Sequence, residues 1–430
     1  MREPTSPVAG RGRLSRRGLF VAGGAAGLGA ASAVGVESAR RAGTFDAAPA
    51  SAQETVPVHG QDTVAFHGPR QAGVGTAPQA FASFVALDLN AGTERDAVRR
   101  LLTVLSEDAA ALTQGRAPIG DQEPWLAQYP ARLTVTFGLG ARIFELVAPD
   151  RAPGWLRPLP EFSIDRLEDR WSDGDLLLQI CAEDRLTVSH AQRMLLKDAR
   201  SFAAVRWVQE GFRHTVGSTP ENATGRNLFG QVDGTVNPAP GTEAFEQVVY
   251  GAGTDGFPSW TPDGTALVLR RIHMNLDTWD EADTPAREDS VGRRLADGAP
   301  LTGATEHGEP DFAATGPLGF PVIADYAHIH RARTGDPRQA IHRRVYNYDL
   351  PVAEVSGTSR HGMTTGGVSN AGMVFASYQA DVNRQFVPIQ RRLDELDMLN
   401  TWTTPIGSAV FAVPPGCAEG GFVGEVLFET

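Results

Sequence analysis

Ala80-Phe-Ala-Ser-Phe-Val-Ala-Leu-Asp-Leu89, followed by Asn90-Ala-Gly-Thr-Glu-Arg-Asp-Ala-Val-Arg-Arg-Leu-Leu-Thr-Val-Leu105, changes its apolar period partway along. In residues 80–89, Phe81, Phe84, Val85 and Leu87 supply the bulk of an extended segment, which reads as a strand. Thr93 then offers a cap, and Ala97, Val98, Leu101, Leu102 and Leu105 recur at three and four, which reads as a helix. Leu133 to Phe137 alternates with period two, and Leu176 to Cys181 is an apolar run expected to be buried on both faces. Thr187 to Phe202 reads as helix and Ala203 to Val208 as strand. The order β-α-β-β-α-β is that of a ferredoxin-like unit.

The second half repeats the pattern with longer insertions. Ala266 to Met274, Gln339 to Tyr348 and Gly372 to Gln379 read as strands. Gln385 to Leu399 is amphipathic, with Phe386, Ile389, Leu393, Leu396 and Leu399 on one face, and Ala409 to Val413 closes the set. Residues 280–320, rich in Gly, Pro, Asp and Glu, read as a long insertion loop. The expected fold is α+β: two ferredoxin-like units packed as a duplicated, barrel-like assembly, with space for a planar ligand between sheet and helices. A chain of 430 residues is long for one domain, and the reading divides it into 1–52, 53–222 and 223–430.

Residues 1–52 read as an address. Ser15-Arg16-Arg17-Gly18-Leu19-Phe20 precedes an uncharged, Gly- and Ala-rich stretch to Val36, and small-residue cleavage patterns follow at 31–33 and 50–52. A twin arginine before a mildly apolar region is similar to a Tat signal, which exports proteins already folded, to the cell envelope or the medium. The net charge of −12 excludes the basic face expected of a nucleic-acid binder. Cys181 and Cys417 are too far apart in sequence for a zinc motif. Cys181 reads as a core residue, and one disulfide between the two remains open for an exported chain.

The chemistry centres on Arg226-Asn-Leu-Phe-Gly-Gln-Val-Asp-Gly-Thr-Val-Asn-Pro238. Gly230 and Gly234 flank Asp233, so the backbone can lie flat against something planar while one carboxylate points inward. Two later elements add to it: His328 and His330, and the pair Arg343-Arg344. The chain has ten histidines. His190 lies in a predicted helix, whereas His59, His67, His307 and His361 lie in Gly-rich loops. The chain has no Gly-x-Ser-x-Gly, no His-Glu-x-x-His, no Walker loop and no Cys-x-x-Cys-His.

Taken in order, several stretches resemble the dye-decolorizing peroxidase family, in particular its exported, deferrochelatase-like branch. They are Val56-Pro57-Val58-His59-Gly60, Gly174-Asp175-Leu176, Gly230-Gln231-Val232-Asp233-Gly234-Thr235, Ala327-His328-Ile329, Arg343-Arg344, Pro388 to Leu393, and Gly407 to Gly416. The resemblance spans roughly residue 55 to the end. It implies one noncovalent heme b per chain, with His328 as the iron ligand. Asp233 would be the acid–base group on the opposite face and Arg343 its charge-stabilising partner. Gly234 and Thr235 would line the heme edge and Arg333 would pair with a propionate. Asp381 would hold the second imidazole nitrogen of His328.

Two positions depart from the family pattern: His330 stands where an arginine is usual, and Val345 where a glycine is usual. In a strand His328 and His330 would share a face, so the residues alone leave the ligand open between them. Alternation likewise requires only that one of Arg343 and Arg344 face the site. The implied activity is reduction of hydrogen peroxide coupled to oxidation of dyes or phenolics, favoured in acid. Trp207, Trp260, Trp279, Trp402, Tyr346 and Tyr348 are relay candidates for donors too large to enter. The rivals are iron release from heme, with an exported iron-uptake system as partner, and heme storage. An oligomer is compatible with either.

Overall fold

The structure, a computed structural model, describes residues 59–429 apart from 221–222, 252–259, 334 and 353–368. The twin-arginine segment, both cleavage patterns, residues 56–58 and His361 lie outside the described residues. The first half runs β1 (Phe81–Leu89), α1 (Arg95–Thr113), β2 (Thr134–Leu139), α2 (Ala141–Val147), β3 (Leu176–Ala182), α3 (Arg185–Ala199) and β4 (Ala203–Phe212). The second runs β5 (Thr265–Met274), α4 (Leu276–Glu281), α5 (Thr284–Val291), α6 (His328–Ala332), β6 (His342–Asp349), β7 (Ala371–Gln379), α7 (Phe386–Leu396) and β8 (Thr403–Val413).

All pairings are antiparallel, and the strands close in the order β1-β3-β2-β8-β5-β7-β6-β4. Each half therefore carries the ferredoxin-like order, 4-1-3-2 and its repeat 8-5-7-6, and the two sheets join at their edges into one barrel. The seams are narrow. β2 meets β8 at Leu139↔Ala412, and β4 meets β6 at Phe212↔Asn347. Residues Val58–Thr430 form one compact unit.

Strand alternation separates the cores. Phe84, Leu177, Leu269, Tyr346, Tyr378 and Phe411 come from both halves and fill the barrel interior. The opposite face of the first half, with Val85, Leu178 and Ile180, is covered by the apolar stripes of α1 and α3. Asp184 caps α3 by accepting from the Thr187 amide at 2.9 Å. On the second half the outward face is shared by Met274, Met373, Trp279 and Trp402, with Ile272, Val345 and Phe375 only partly buried beside them. That half-covered face is where the site lies.

Of three further features, the first corrects the reading from sequence and the other two decide what it left open. The insertion between β5 and β6 carries the short helices α4, α5 and α6, too brief for a periodic signal. His328 and His330 stand on a helix, where two positions along turns the side chains to different faces. Both cysteines are free thiols, and Cys417 Sγ lies 3.7 Å from His67 Nδ1.

Candidate functional site

Residues 224–237 form a loop folded on itself and pinned to β6. Arg226 bridges Val232, and the Asn227 side chain accepts from the Phe229 amide at 3.1 Å. The Asp233 amide donates to the Gly225 carbonyl at 2.8 Å. Gly234 has φ +126°, a conformation that side chains with a Cβ avoid, so the turn leaving Asp233 needs glycine. Asn237 does the docking. Its Oδ1 accepts from the Arg343 amide and its Nδ2 donates to the Arg343 carbonyl, both at 2.7 Å. The amide side chain thus stands in for a neighbouring strand where β6 runs past the narrow seam.

This clamp brings Arg343 Nη1 to 3.0 Å from Asp233 Oδ1, with both side chains largely buried. Arg344 points the other way. Its guanidinium is wholly buried in the barrel, donating to the Thr76 carbonyl at 2.5 Å and to Gln79 Oε1. Strand alternation therefore gives Arg343 alone to the site. Val345, two residues on, shares its face.

His328 opens α6. Its Nδ1 lies 2.6 Å from Asp397 Oδ2; the carboxylate is almost fully covered (3% exposed), while the imidazole keeps 32% of its surface. Asp397 Oδ1 also accepts from the Leu399 amide at 3.0 Å, which fixes the carboxylate at the end of α7. Burial alone would lower the imidazole pKa. The Asp397 charge and hydrogen bond outweigh it, so the net shift is upward, with Arg343 pulling down and Asp233 pulling up. Those last two effects place the Asp233–Arg343 pair within electrostatic reach of His328. Among the described residues, none hydrogen-bonds His328 Nε2.

Asp381 is therefore not the partner of His328, contrary to the sequence reading. Its Oδ1 accepts from the amides of Asn383 and Arg384 at 2.8 and 3.1 Å, a local turn. His330 turns away to the Ala324 carbonyl at 3.1 Å and stacks on Phe312, ring centroids 4.6 Å apart. Thr235 Oγ1 donates to Glu306 Oε1 at 3.0 Å, and Arg333 pairs with Glu309. Arg293 was missed from sequence. Burial holds its guanidinium below the usual value, and Arg333 and Arg343 push it the same way, so three cations share one neighbourhood. Asp397, Asn237 and Glu306 were also missed. The available hint for Asp397 was local: an acid just before the turn Met398–Thr401, a capping position.

Of the relay candidates, Trp207, Trp279, Trp402, Tyr346 and Tyr348 are buried, whereas Trp260 is partly exposed. Trp279 lies 4.5 Å from Phe229 and 5.0 Å from Trp402 between ring centroids, a core cluster under the site.

These residues fit a heme. No three His, Cys, Asp or Glu side chains cluster as a metal cage among the described residues, so a bare ion would find a single imidazole. A porphyrin brings its own four equatorial nitrogens and needs one axial donor, a flat apolar bed and cations for its carboxylates. His328 Nε2, the half-buried Ile272, Val345 and Phe375, and the cations Arg293 and Arg333 supply these.

A family model described as Dyp-type peroxidase, N-terminal matches residues 71–213, and one described as Dyp-type peroxidase, C-terminal matches residues 224–418. A dye-decolorizing peroxidase of Thermobifida fusca is 37% identical over 371 residues, 84% of each chain. A deferrochelatase of Escherichia coli K12 is 33% identical over 368 residues, 81% of this chain and 83% of that one. The crystal structure of a DyP-type peroxidase from Cellulomonas bogoriensis superposes with a TM-score of 0.80 at 48% identity, covering 86% of this chain and 99% of that one.

Proposed function

The chain belongs to the Dyp-type peroxidase family, and on that premise we propose that it is a heme-dependent peroxidase that reduces hydrogen peroxide and oxidises dyes or phenolic compounds. The observation that carries the reading is the 3.0 Å Asp233–Arg343 pair within electrostatic reach of an imidazole whose far nitrogen is tied to Asp397. When bound, heme supplies the iron at which the O–O bond of peroxide is cleaved and the two oxidising equivalents are held.

The protein's own groups do the rest. Asp397 accepts from His328 Nδ1–H, which leaves the lone pair of Nε2 free to ligate and makes the imidazole a stronger donor. Asp233 removes a proton from peroxide and returns it to the departing oxygen, which leaves as water. Arg343 holds the negative charge that builds on that oxygen and keeps the Asp233 carboxylate oriented. Two donor molecules AH then each give one electron and one proton: H2O2 + 2 AH → 2 H2O + 2 A•. Val345, two residues along β6 from Arg343, is partly buried and adds bulk on the same face.

Asp233→Asn and Arg343→Leu test the assignment. Each is expected to retain heme while turnover falls by roughly two to three orders of magnitude, as for loss of a positioned acid–base or charge-stabilising group. Full turnover in either variant would remove the mechanism.

The deferrochelatase relatives favour a second reading of the same site: release of iron from heme with the porphyrin intact, in partnership with an exported iron-uptake system. Metal-free porphyrin fluorescence appearing on incubation with heme would support it. Export by the twin-arginine route is also part of the proposal, supported by Arg16-Arg17 ahead of the apolar stretch to Val36. An Arg16→Lys/Arg17→Lys variant should then stay in the cytoplasm.

A further inference from the structure

Arg213, the residue after β4, is a partly buried cation whose guanidinium hydrogen-bonds no carboxylate among the described residues. It stands at the seam where β4 meets β6 through the single pair Phe212↔Asn347. Its amide donates to the Ala80 carbonyl at 2.7 Å, which continues the pairing of β1 with β4 by one residue. Its Nη1 donates to the Val345 carbonyl of β6 at 3.0 Å, so a side chain bridges the two halves where backbone pairing has stopped. One carbonyl leaves most of a guanidinium charge uncompensated, and burying such a charge is costly.

The same guanidinium lies against the root of the loop that carries Asp233. A Cβ on Gly225 would lie 2.9 Å from Arg213 Nη2, so glycine lets the two meet. The Gly225 carbonyl accepts from the Asp233 amide at 2.8 Å, and Asn347 Nδ2 donates to the Arg226 carbonyl at 3.2 Å. Burial pulls the Arg213 pKa below its ordinary value. Tyr346 and Asp233 pull it upward, and Arg344, from the barrel interior, pulls it down. The Asp233 charge thus reaches Arg213, and by reciprocity the Arg213 charge reaches Asp233. From the other elements, Arg343 on β6 is bonded to Asp233, and His328 on α6 is within electrostatic reach. Glu306 of the insertion accepts from Thr224 and Thr235 on either side of it.

We propose that Arg213 is a positioning residue for the peroxide reaction, a cation supplied by the first half of the chain to the acid–base group of the second. It pins Val345 and Gly225, which set where Asp233 stands, and its charge favours the ionised carboxylate that takes the proton from peroxide. Arg343 acts on the departing oxygen, whereas Arg213 acts only through Asp233. The part in peroxide reduction rests on the peroxidase reading; the effect on proton uptake by Asp233 does not.

Two variants of the hemin-loaded protein separate charge from hydrogen bonding. Arg213→Gln keeps an amide that can donate to Val345 but loses the charge, and Arg213→Lys keeps the charge. In Arg213→Gln the acid limb of kcat/KM for peroxide should move to higher pH by about half a pH unit to one, so that the rate on that limb falls roughly three- to tenfold. The plateau above the limb should stay within about twofold of wild type. Arg213→Lys should leave the limb in place. Cyanide gives a readout without turnover, because hydrogen cyanide must yield its proton to a base as it ligates; the acid limb of its binding rate should move in the same way. A limb unmoved in Arg213→Gln, or moved equally in both variants, would overturn the proposal. Failure of both variants to fold would also overturn it, by making the pin a structural one. A wild type that binds cyanide but leaves peroxide unreduced would count against the peroxidase reading instead, and the cyanide profiles would still decide the role of Arg213.

Discussion

His328 and Asp397 meet across 69 residues of chain at 2.6 Å, and that contact decides what the imidazole can do. Asp397→Asn keeps a hydrogen-bond acceptor beside Nδ1 but removes its charge, so the ligating nitrogen becomes a weaker donor. Heme loss to a scavenger protein should speed up roughly 10- to 100-fold, the usual effect of removing such a partner, whereas Asp381→Asn should change nothing. His342 makes a different prediction. Burial, with Arg344 and Arg343 adding to it, depresses its pKa to about 4 against an ordinary value near 6.5. The unfolded chain therefore binds a proton between these values that the folded chain does not. The stability tied to neutral His342 is complete above pH 6.5 and is lost as pH falls toward 4, on the order of 3 kcal/mol over the window. Urea unfolding at several pH values should show a slope that His342→Gln flattens; an unchanged slope would place the acid sensitivity elsewhere. Asp233, His328 and Arg343 were legible as residues because each sits in a short recognisable string. Asp397 was not, since one sequence does not say which of its 51 acidic residues reaches a given imidazole.

At the level of elements, the loop before Asp233 depends on a side chain that copies a strand. Asn237→Ala strips partners from both the amide and the carbonyl of Arg343, at a cost of about 1–3 kcal/mol. It also frees the loop that aims Asp233, so kcat/KM for peroxide should fall more than the thermal midpoint implies. Equal kinetics after that loss of stability would show that the clamp is structural only. The strands and the longer helices were legible from the switch between periods of two and three to four. α4, α5 and α6 were not, because a helix of five to eight residues completes too few turns to show a stripe. That gap left His328 on an undefined backbone and its choice over His330 open. One turn of helix sends the two rings to different partners, His328 to Asp397 and His330 to the Ala324 carbonyl.

Across the whole molecule, two ferredoxin-like sheets and their barrel-like packing were legible from the repeated element order, but the strands that meet at the seams were not, because each seam rests on a single residue pair. Glycine makes the close approach possible. A Cβ on Gly211 of β4 would lie 2.6 Å from Tyr346 Cβ of β6, and one on Gly138 of β2 would lie 2.8 Å from Phe411 Cβ of β8. Gly211→Ala should therefore cost about 1–3 kcal/mol by overpacking. Because β6 carries Arg343, it should also loosen the site, read as a lower thermal midpoint and faster heme loss together. Barrel and site are in this sense one structure, with Tyr346 and Arg344 facing its interior and Arg343 and Val345 its exterior. The most direct test of the account is rapid mixing of the hemin-loaded protein with one equivalent of hydrogen peroxide, followed at the Soret band, for wild type and Asp233→Asn. The wild-type band should move within milliseconds and the variant's about a hundredfold more slowly or worse. A chain that takes up no hemin, or a variant as fast as wild type, would contradict it.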